Sequence, residues 1–306
     1  MLLSIKVHII HAMSKSPISK RVEILKMMNE GVSMRATARM AGVSLNTVAK
    51  LLVDAGEATL ALHDELVRHV EAERIECDEA WSFIHTREGN KPNAKTPTPE
   101  HGDVWTWLCM ASDTRLVISY LAGQRSRISG ETFLRDVAAR VDLTKPTQIN
   151  TDGFPFYVGA IQKIFGADMD HATLVKRYAN VPSTTRYAPL KVTDTKREAI
   201  SGNPDLDRAC TSYVERANLS MRMGLRRFTR LTNGHSKKYA SHVYALAVFF
   251  FAHNFIKKNP TIKTTPALAA KITDRQWTWE DVVARIERDA PRTGPKGPRV
   301  VREVEG

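Results

Sequence analysis

The 306-residue sequence predicts an α/β fold, a mixed sheet flanked by helices, preceded by an all-α helix-turn-helix domain. Three observations predict it. Residues 17 to 56 hold three short helical periods separated by glycine-containing turns. At Ile75 the apolar spacing changes from helical to strand-like. From there the runs follow the order β-β-β-α-β-α-β to residue 178, and the helix carrying Glu215 adds a final α; this order packs as a sheet with helices on its faces.

The helical unit comes first. Pro17 and Ser19 open a helix with Val22, Leu25 and Met28 on one face, and Gly31 ends it. Ser33 caps a second helix through Met40, and Gly42-Val43 makes the turn. Ser44 caps a third helix bearing Val48, Leu51 and Leu52, expected to stop before Gly56. This spacing is the sequence form of a helix-turn-helix. Its third helix is expected to turn Asn46, Thr47 and Lys50 outward, with Ser44 at its start, toward base edges in a major groove. A small helical bundle that binds nothing has the same pattern. From residue 1 to 57, however, basic residues outnumber acids eight to four, which favours DNA. Residues 58 to 74 read as an amphipathic connector helix, with Leu62, Leu66 and Val70 packed on a neighbour.

The strands follow. Residues 74 to 84 form a strand bearing Asp78, and 86 to 102 a loop. Residues 104 to 112 and 116 to 124 form a hairpin across Asp113-Thr114. Ser129 caps a helix carrying Phe133, Val137 and Val141. A short strand, 147 to 151, then delivers Asp152. Residues 157 to 165 read as helix and 172 to 178 as strand. Residues 182 to 208, with Pro182, Pro189, Gly202 and Pro204, read as a long turn-rich excursion before a helix carrying Glu215. The apolar run 243 to 252 ends at His253-Asn254; it is too short to span a bilayer and reads as a buried helix. Beyond residue 257 come two short helices, around 266 to 271 and 279 to 287, then a Pro-, Gly- and Arg-rich end read as disordered. The expected domains are 1–57, 58–74, 75–256 and 257–306.

Composition narrows the function. Hydrophobic residues make up 42% and charged residues 25%, as in a globular protein. Lys and Arg number 45 against 33 Asp and Glu, a formal charge of +12 that favours a polyanionic partner, although a merely basic protein shows the same excess. Cys77, Cys109 and Cys210 are scattered with no Cys-x-x-Cys pair, which excludes a disulfide framework or zinc ribbon and points to a reducing cytoplasm. No membrane association is expected.

Three acids stand in settings suited to a divalent metal: Asp78 and Asp152 at strand positions, and Glu215 within a helix. Hard oxygen ligands suit Mg²⁺, and two such ions can drive phosphodiester chemistry. Each acid alone is weak, since an Asp-Gly such as Asp152-Gly153 is more often a turn. Strand alternation is expected to point Glu76 and Glu79 away from Asp78 or to the sheet's other edge, and Asp168 and Asp170 read as surface acids. Between Arg216 and Ala240 there are seven Lys or Arg and no acid. On one helix Glu215, Leu219, Arg222 and Arg226 would share a stripe. Arg222 and Arg226, with Arg227 and Arg230, are therefore candidate phosphate ligands. A solvated basic face with one incidental Glu is the competing reading.

These segments resemble bacterial transposases of the DDE type, specifically the insertion-sequence IS-one family. The likeness rests on Cys77-Asp78-Glu79-Ala80-Trp81-Ser82-Phe83, Thr151-Asp152-Gly153-Phe154 and Val214-Glu215-Arg216-Ala217-Asn218-Leu219-Ser220-Met221-Arg222. Lys20 to Leu25 and Gly42 to Val48 match the family's helix-turn-helix form. In order, the likeness runs from about residue 14 to the late 280s. It implies a ribonuclease-H-like domain in which Asp78, Asp152 and Glu215 bind two Mg²⁺ ions, with Mn²⁺ as a substitute, and Arg222 assists one helical repeat after the Glu. The implied reaction frees a 3′-hydroxyl at a transposon end by hydrolysis, and that hydroxyl then attacks target DNA. The implied partners are double-stranded DNA and at least one more copy of the chain, at the nucleoid. No Cys precedes residue 77, so the N-terminal zinc site of some relatives is not expected. Residues 1 to 12 match nothing, and Met13 is expected to be the genuine start. Two alternatives stay open: a DNA-binding repressor or regulator with an inert catalytic domain, and a nuclease of the same fold.

Overall fold

The computed structural model describes residues 16–93, 98–178, 192–229 and 233–289; Met13 and the end beyond residue 289 lie outside them. Three helices come first, α1 (Ile18–Asn29), α2 (Met34–Ala41) and α3 (Leu45–Leu66). Ser33 and Ser44 cap α2 and α3, their hydroxyls accepting from the backbone N–H of Ala36 and Thr47. Gly42 ends α2 at φ 65°, in the left-handed region that a glycine adopts without strain.

The third helix does not stop where expected. It runs through Gly56 for 22 residues and takes in most of the connector, while residues 67 to 73 are not helical. Gly56 serves another purpose: a Cβ there would overlap Tyr244 of α7 (Tyr239–Phe251). The glycine lets two helices touch rather than ending one. As a result Val22, Leu25, Leu51 and Ala55 join the same apolar core as Phe250, Phe251 and Phe255.

The C-terminal segment is also more than a tail. Helix α9 (Trp279–Asp289) packs on α1 and α3 and buries Trp279, Val282 and Val283. Arg285 meets Glu65, and Arg21 meets Glu287, each at 2.5 Å. Such surface pairs contribute at most about 1 kcal/mol each, so apolar burial holds the clasp.

A six-stranded mixed sheet lies at the centre: β1 (Arg74–Ile84), β2 (Gly102–Ala111), β3 (Val117–Gly123), β4 (Gln148–Asp152), β5 (Asp170–Tyr178) and β6 (Val192–Ser201). Its order is β3-β2-β1-β4-β5-β6. The first three strands form an antiparallel meander, β4 and β5 run parallel to β1, and β6 returns antiparallel to β5. Helices α4 (Arg127–Ala138) and α5 (Phe156–Phe165) cover the face that carries Trp107 and Glu79. Helices α6 (Ser212–Gly224) and α7 cover the face of Glu76, Asp78 and Ser82. A short helix α8 (Pro266–Ala269) precedes α9.

Three further expectations need correction. The cap of α4 is Ser126, not Ser129, whose N–H donates to the Ser126 hydroxyl. Part of the presumed excursion is strand β6. It escapes sequence reading because its first six residues are all exposed, so neither face shows an apolar alternation. The apolar helix is longer than its apolar run: α7 continues through a π-helical turn, Ala252–Ile256. Asn254, which resembles a helix end, is buried and bonds both the N–H and the C=O of Val117, at 2.9 and 2.8 Å. The whole helix, Tyr239–Ile256, is long and apolar enough to cross a membrane by length and composition, but 67% of it is buried inside the fold, as in a core helix.

Replacing Gly56 with Ala forces a methyl into the α3–α7 contact and is expected to cost about 1–3 kcal/mol. A urea denaturation curve checks this. An unchanged midpoint would mean the helices can part freely there.

Candidate active site

Strands β1 and β4 pair in parallel only as far as Cys77 and Thr151. Beyond that rung Asp78 and Glu79 border an unpaired edge, and Asp152 ends β4. Carboxylate oxygens of Asp78, Glu79 and Asp152 there lie within 4.8 Å of one another. Glu79 points to the opposite face from Asp78, as strand alternation predicts, toward Tyr157 of α5; because β1 has no partner strand on this side, its carboxylate still reaches the same gap. Gly153 lets β5 close up beside it, since a Cβ would meet Val175 at 2.8 Å. Asp152 Oδ1 also accepts from the N–H of Phe154 at 2.9 Å, which fixes the turn.

Burial and crowding hold protons on Asp78 and Glu79. Burial, then the charge of Asp152, raises the Asp78 pKa to about 6, against the Asn218 amide that donates to its Oδ2 at 2.8 Å. Burial raises Glu79 to about 7, with Asp152 and Asp78 adding to the effect. The Tyr157 hydroxyl, which donates to Glu79, and Arg125, at 3.2 Å, oppose that rise. The Glu79 side chain is only 1% exposed. Like charges kept this close and this dry disfavour their own ionisation.

Helix α6 is set against this group by Glu76, which does not point away as expected but shares the face of Asp78, two residues along β1. Its buried carboxylate accepts from the N–H groups of Tyr213 and Val214, at 2.9 and 3.0 Å, and from the Ser112 hydroxyl and the Cys210 thiol. Burial raises its pKa and these bonds oppose the rise. A carboxylate at the first turn satisfies free N–H groups and complements the helix dipole. Further along, Asn218 reaches Asp78, so the helix is tied to β1 at two points.

Glu215 lies on this helix but outside the 4.8 Å group. Lys176 of β5 donates to both its oxygens, at 2.5 and 2.6 Å, and the Thr211 hydroxyl to one, at 2.7 Å. It remains near enough for its charge to contribute to the raised Asp78 pKa. The structure thus gathers Asp78 and Asp152 with Glu79, which sequence reasoning passed over, and holds Glu215 alongside on Lys176. Neither Glu79 nor Lys176 had a signal in the sequence beyond adjacency to a candidate acid or residence in a strand.

The basic candidates separate. Arg222 sits in the last turn of α6, where its carbonyl accepts from the Thr229 hydroxyl. Arg226 does not share that helix, which ends at Gly224 against the ring of Phe249; it opens a 3₁₀ turn, Arg226–Phe228, and is exposed. Arg227 turns inward, donating to the Ser241 carbonyl at 2.7 Å and reaching Ser236 and Met34. Burial lowers its pKa to about 10. It joins helices rather than presenting charge to a ligand. Arg230 lies outside the described residues.

At the start of α3, Ser44 and Thr47 bond each other, hydroxyl to hydroxyl at 2.9 Å, as part of the cap. Asn46 is exposed, but together with Arg35, Arg226, Lys237 and Lys238 it lines a cleft of about 760 Å³ shared with the body, not open solvent as expected. Lys50 is half-buried beside Asp54. Asp170 is a structural acid, accepting from the N–H of Asn203.

No family model matches the chain, and no curated protein matches it. Among solved structures it is similar to the Mos1 strand transfer complex, at 11% identity over 93% of this chain and 82% of that one, with a TM-score of 0.32. It is also similar to the Mos1 mariner paired end complex with Mn (10% identity, the same two shares, TM-score 0.33). The corresponding complex with Mg gives 12% identity, 93% and 82% coverage, and a TM-score of 0.31. Scores this low leave the functional reading to the site itself.

The carboxylate group predicts a pH-dependent response to metal. Folded Asp78 and Glu79 hold protons that the unfolded chain releases near pH 4, so their contribution to stability is present below about pH 4 and lost as pH rises to about 7. A divalent cation should restore it where both are ionised. Mg²⁺ is therefore expected to raise the urea midpoint more at about pH 8 than at about pH 5. Equal shifts at both would mean that the ion binds elsewhere.

Proposed function

We propose that this chain is a DDE-type transposase that cleaves DNA at element ends and joins the freed 3′-hydroxyl to target DNA, as the resemblance to the IS-one family implies. The observation that carries the reading is the gathering of Asp78, Glu79 and Asp152 where β1 and β4 part. A mixed sheet with helices on both faces accords with the ribonuclease-H-like domain that the resemblance implies. The donor set fits a hard divalent cation: three carboxylates, oxygen only, with more negative charge than Arg125 offsets. Asp78 and Asp152 would hold Mg²⁺ or Mn²⁺, with Glu79 or Glu215 completing the set. Such ions supply an activated nucleophile and stabilise the leaving oxygen of a phosphodiester.

The chain's own residues do the positioning. Asn218 orients Asp78, Tyr157 and Arg125 fix Glu79, and the turn at Phe154 fixes Asp152. Arg222 and Arg226 follow Glu215 along the chain and are assigned to phosphate contacts. The α2–α3 pair, with Gly42 in its turn, is assigned to duplex binding through Asn46 and Lys50, which requires the cleft beneath Asn46 to admit DNA. Pairing two element ends calls for a dimer or larger assembly of bacterial chains at the nucleoid. One observation favours the alternative of a DNA-binding repressor or regulator: Lys176 ties up Glu215.

Asp152→Asn removes a ligand oxygen without touching the helices assigned to DNA. Cleavage of candidate end sequences with Mg²⁺ or Mn²⁺ is expected to fall at least about a hundredfold while gel-shift binding persists. Undiminished cleavage would remove Asp152 from the site. Binding without cleavage or joined product in the unaltered chain would favour the regulator.

A further inference from the structure

The opposite flank of α6 carries a second charged feature. A cleft of about 750 Å³ runs between α6, the turn between β2 and β3, and the segment after the π-helical turn of α7. Arg115, Arg216, Lys257 and Lys258 line it, and no Asp or Glu does. Glu30 meets Lys257 at 2.6 Å and offsets one charge. Arg216 and Lys258 are exposed and make no ion pair among the described residues.

Part of this cleft is built rather than incidental. The Arg115 guanidinium lies 3.3 Å over the ring centre of Tyr213. Its backbone sits at φ 62°, a region non-glycine residues seldom occupy. That turn is held by the Arg115 N–H bonding the Ala111 carbonyl and by its own carbonyl accepting from His253 Nε2 at 2.9 Å. The arginine is thus presented flat on an aromatic face, with Arg216 three residues along α6 from Tyr213. Guanidinium groups in fixed positions suit phosphate oxygens, and lysines beside them add charge.

We propose that this cleft binds the phosphate backbone of a DNA segment lying beside the strand held at the carboxylates. Glu215 and Arg216 are consecutive on α6, about 100° apart around its axis, so the cleft and the carboxylates flank the same helix. The proposal rests on the reading of the chain as a DNA-processing protein and adds a second contact surface to it.

The test compares two double variants of the full chain on a fluorescein-labelled duplex of random sequence, by anisotropy over a salt series. One is Arg216→Ala with Lys258→Ala. The other, Lys145→Ala with Lys271→Ala, removes the same charge from exposed lysines elsewhere. Each lost phosphate contact lowers the slope of log K against log salt by about 0.9, so the cleft variant is expected to lose roughly two and to bind about tenfold or more weakly at low salt. The control should keep the parent slope, and unchanged thermal melting shows that both variants fold. Equal slopes in the two variants would overturn the proposal. Asp152→Asn tested alongside keeps the two readings apart: it should bind with the parent slope whatever happens to cleavage.

Discussion

The geometry of the site depends on one buried carboxylate, Glu76. It sits within β1, fully out of solvent, and takes its hydrogen bonds from the first turn of α6, from Ser112 and from Cys210. An unpaired charge at such a position would cost several kcal/mol. The arrangement is stable because four donors converge on it. It also fixes the helix start relative to the strand, and everything α6 presents follows from that register: Asn218 to Asp78, Glu215 to Lys176, Arg216 to the basic cleft.

The carboxylate group near the end of β4 is the opposite case. Asp78, Glu79 and Asp152 are gathered without enough positive charge to neutralise them; burial first, and then their mutual repulsion, raises Asp78 to about 6 and Glu79 to about 7. Packing alone would favour apolar residues or a full ion pair in that gap. Glu215 shows the alternative next door, where Lys176 supplies the missing cation. Two neighbouring acid sites thus differ in their balance: a lysine neutralises one and the other keeps its excess of carboxylates.

Much of this was legible in the sequence. The first five strands, the hairpin and the helices between them follow from alternating and helical apolar spacing, which reports burial directly. Asp78 and Asp152 stand out because each belongs to a strand-like run, with Gly153 following Asp152. What was hidden depends on contacts remote along the chain. Gly56 reads as a helix stop until Tyr244 is seen against it, and β6 has no apolar face to betray it. Arg227 resembles its exposed neighbour Arg226 in sequence and differs only in what surrounds it. Strand alternation correctly sets Glu79 on the opposite face from Asp78, but it does not reveal that their carboxylates meet at an edge with no partner strand. Lys176 could not be paired with Glu215 without knowing that β5 lies two strands from β1.

The most direct test of the site is anomalous diffraction from crystals grown with Mn²⁺ at a pH above 7. A peak within about 2–2.5 Å of carboxylate oxygens from both Asp78 and Asp152 is the predicted result. Peaks confined to other acids, such as Asp168 or Asp170, with none between β1 and β4, would contradict it.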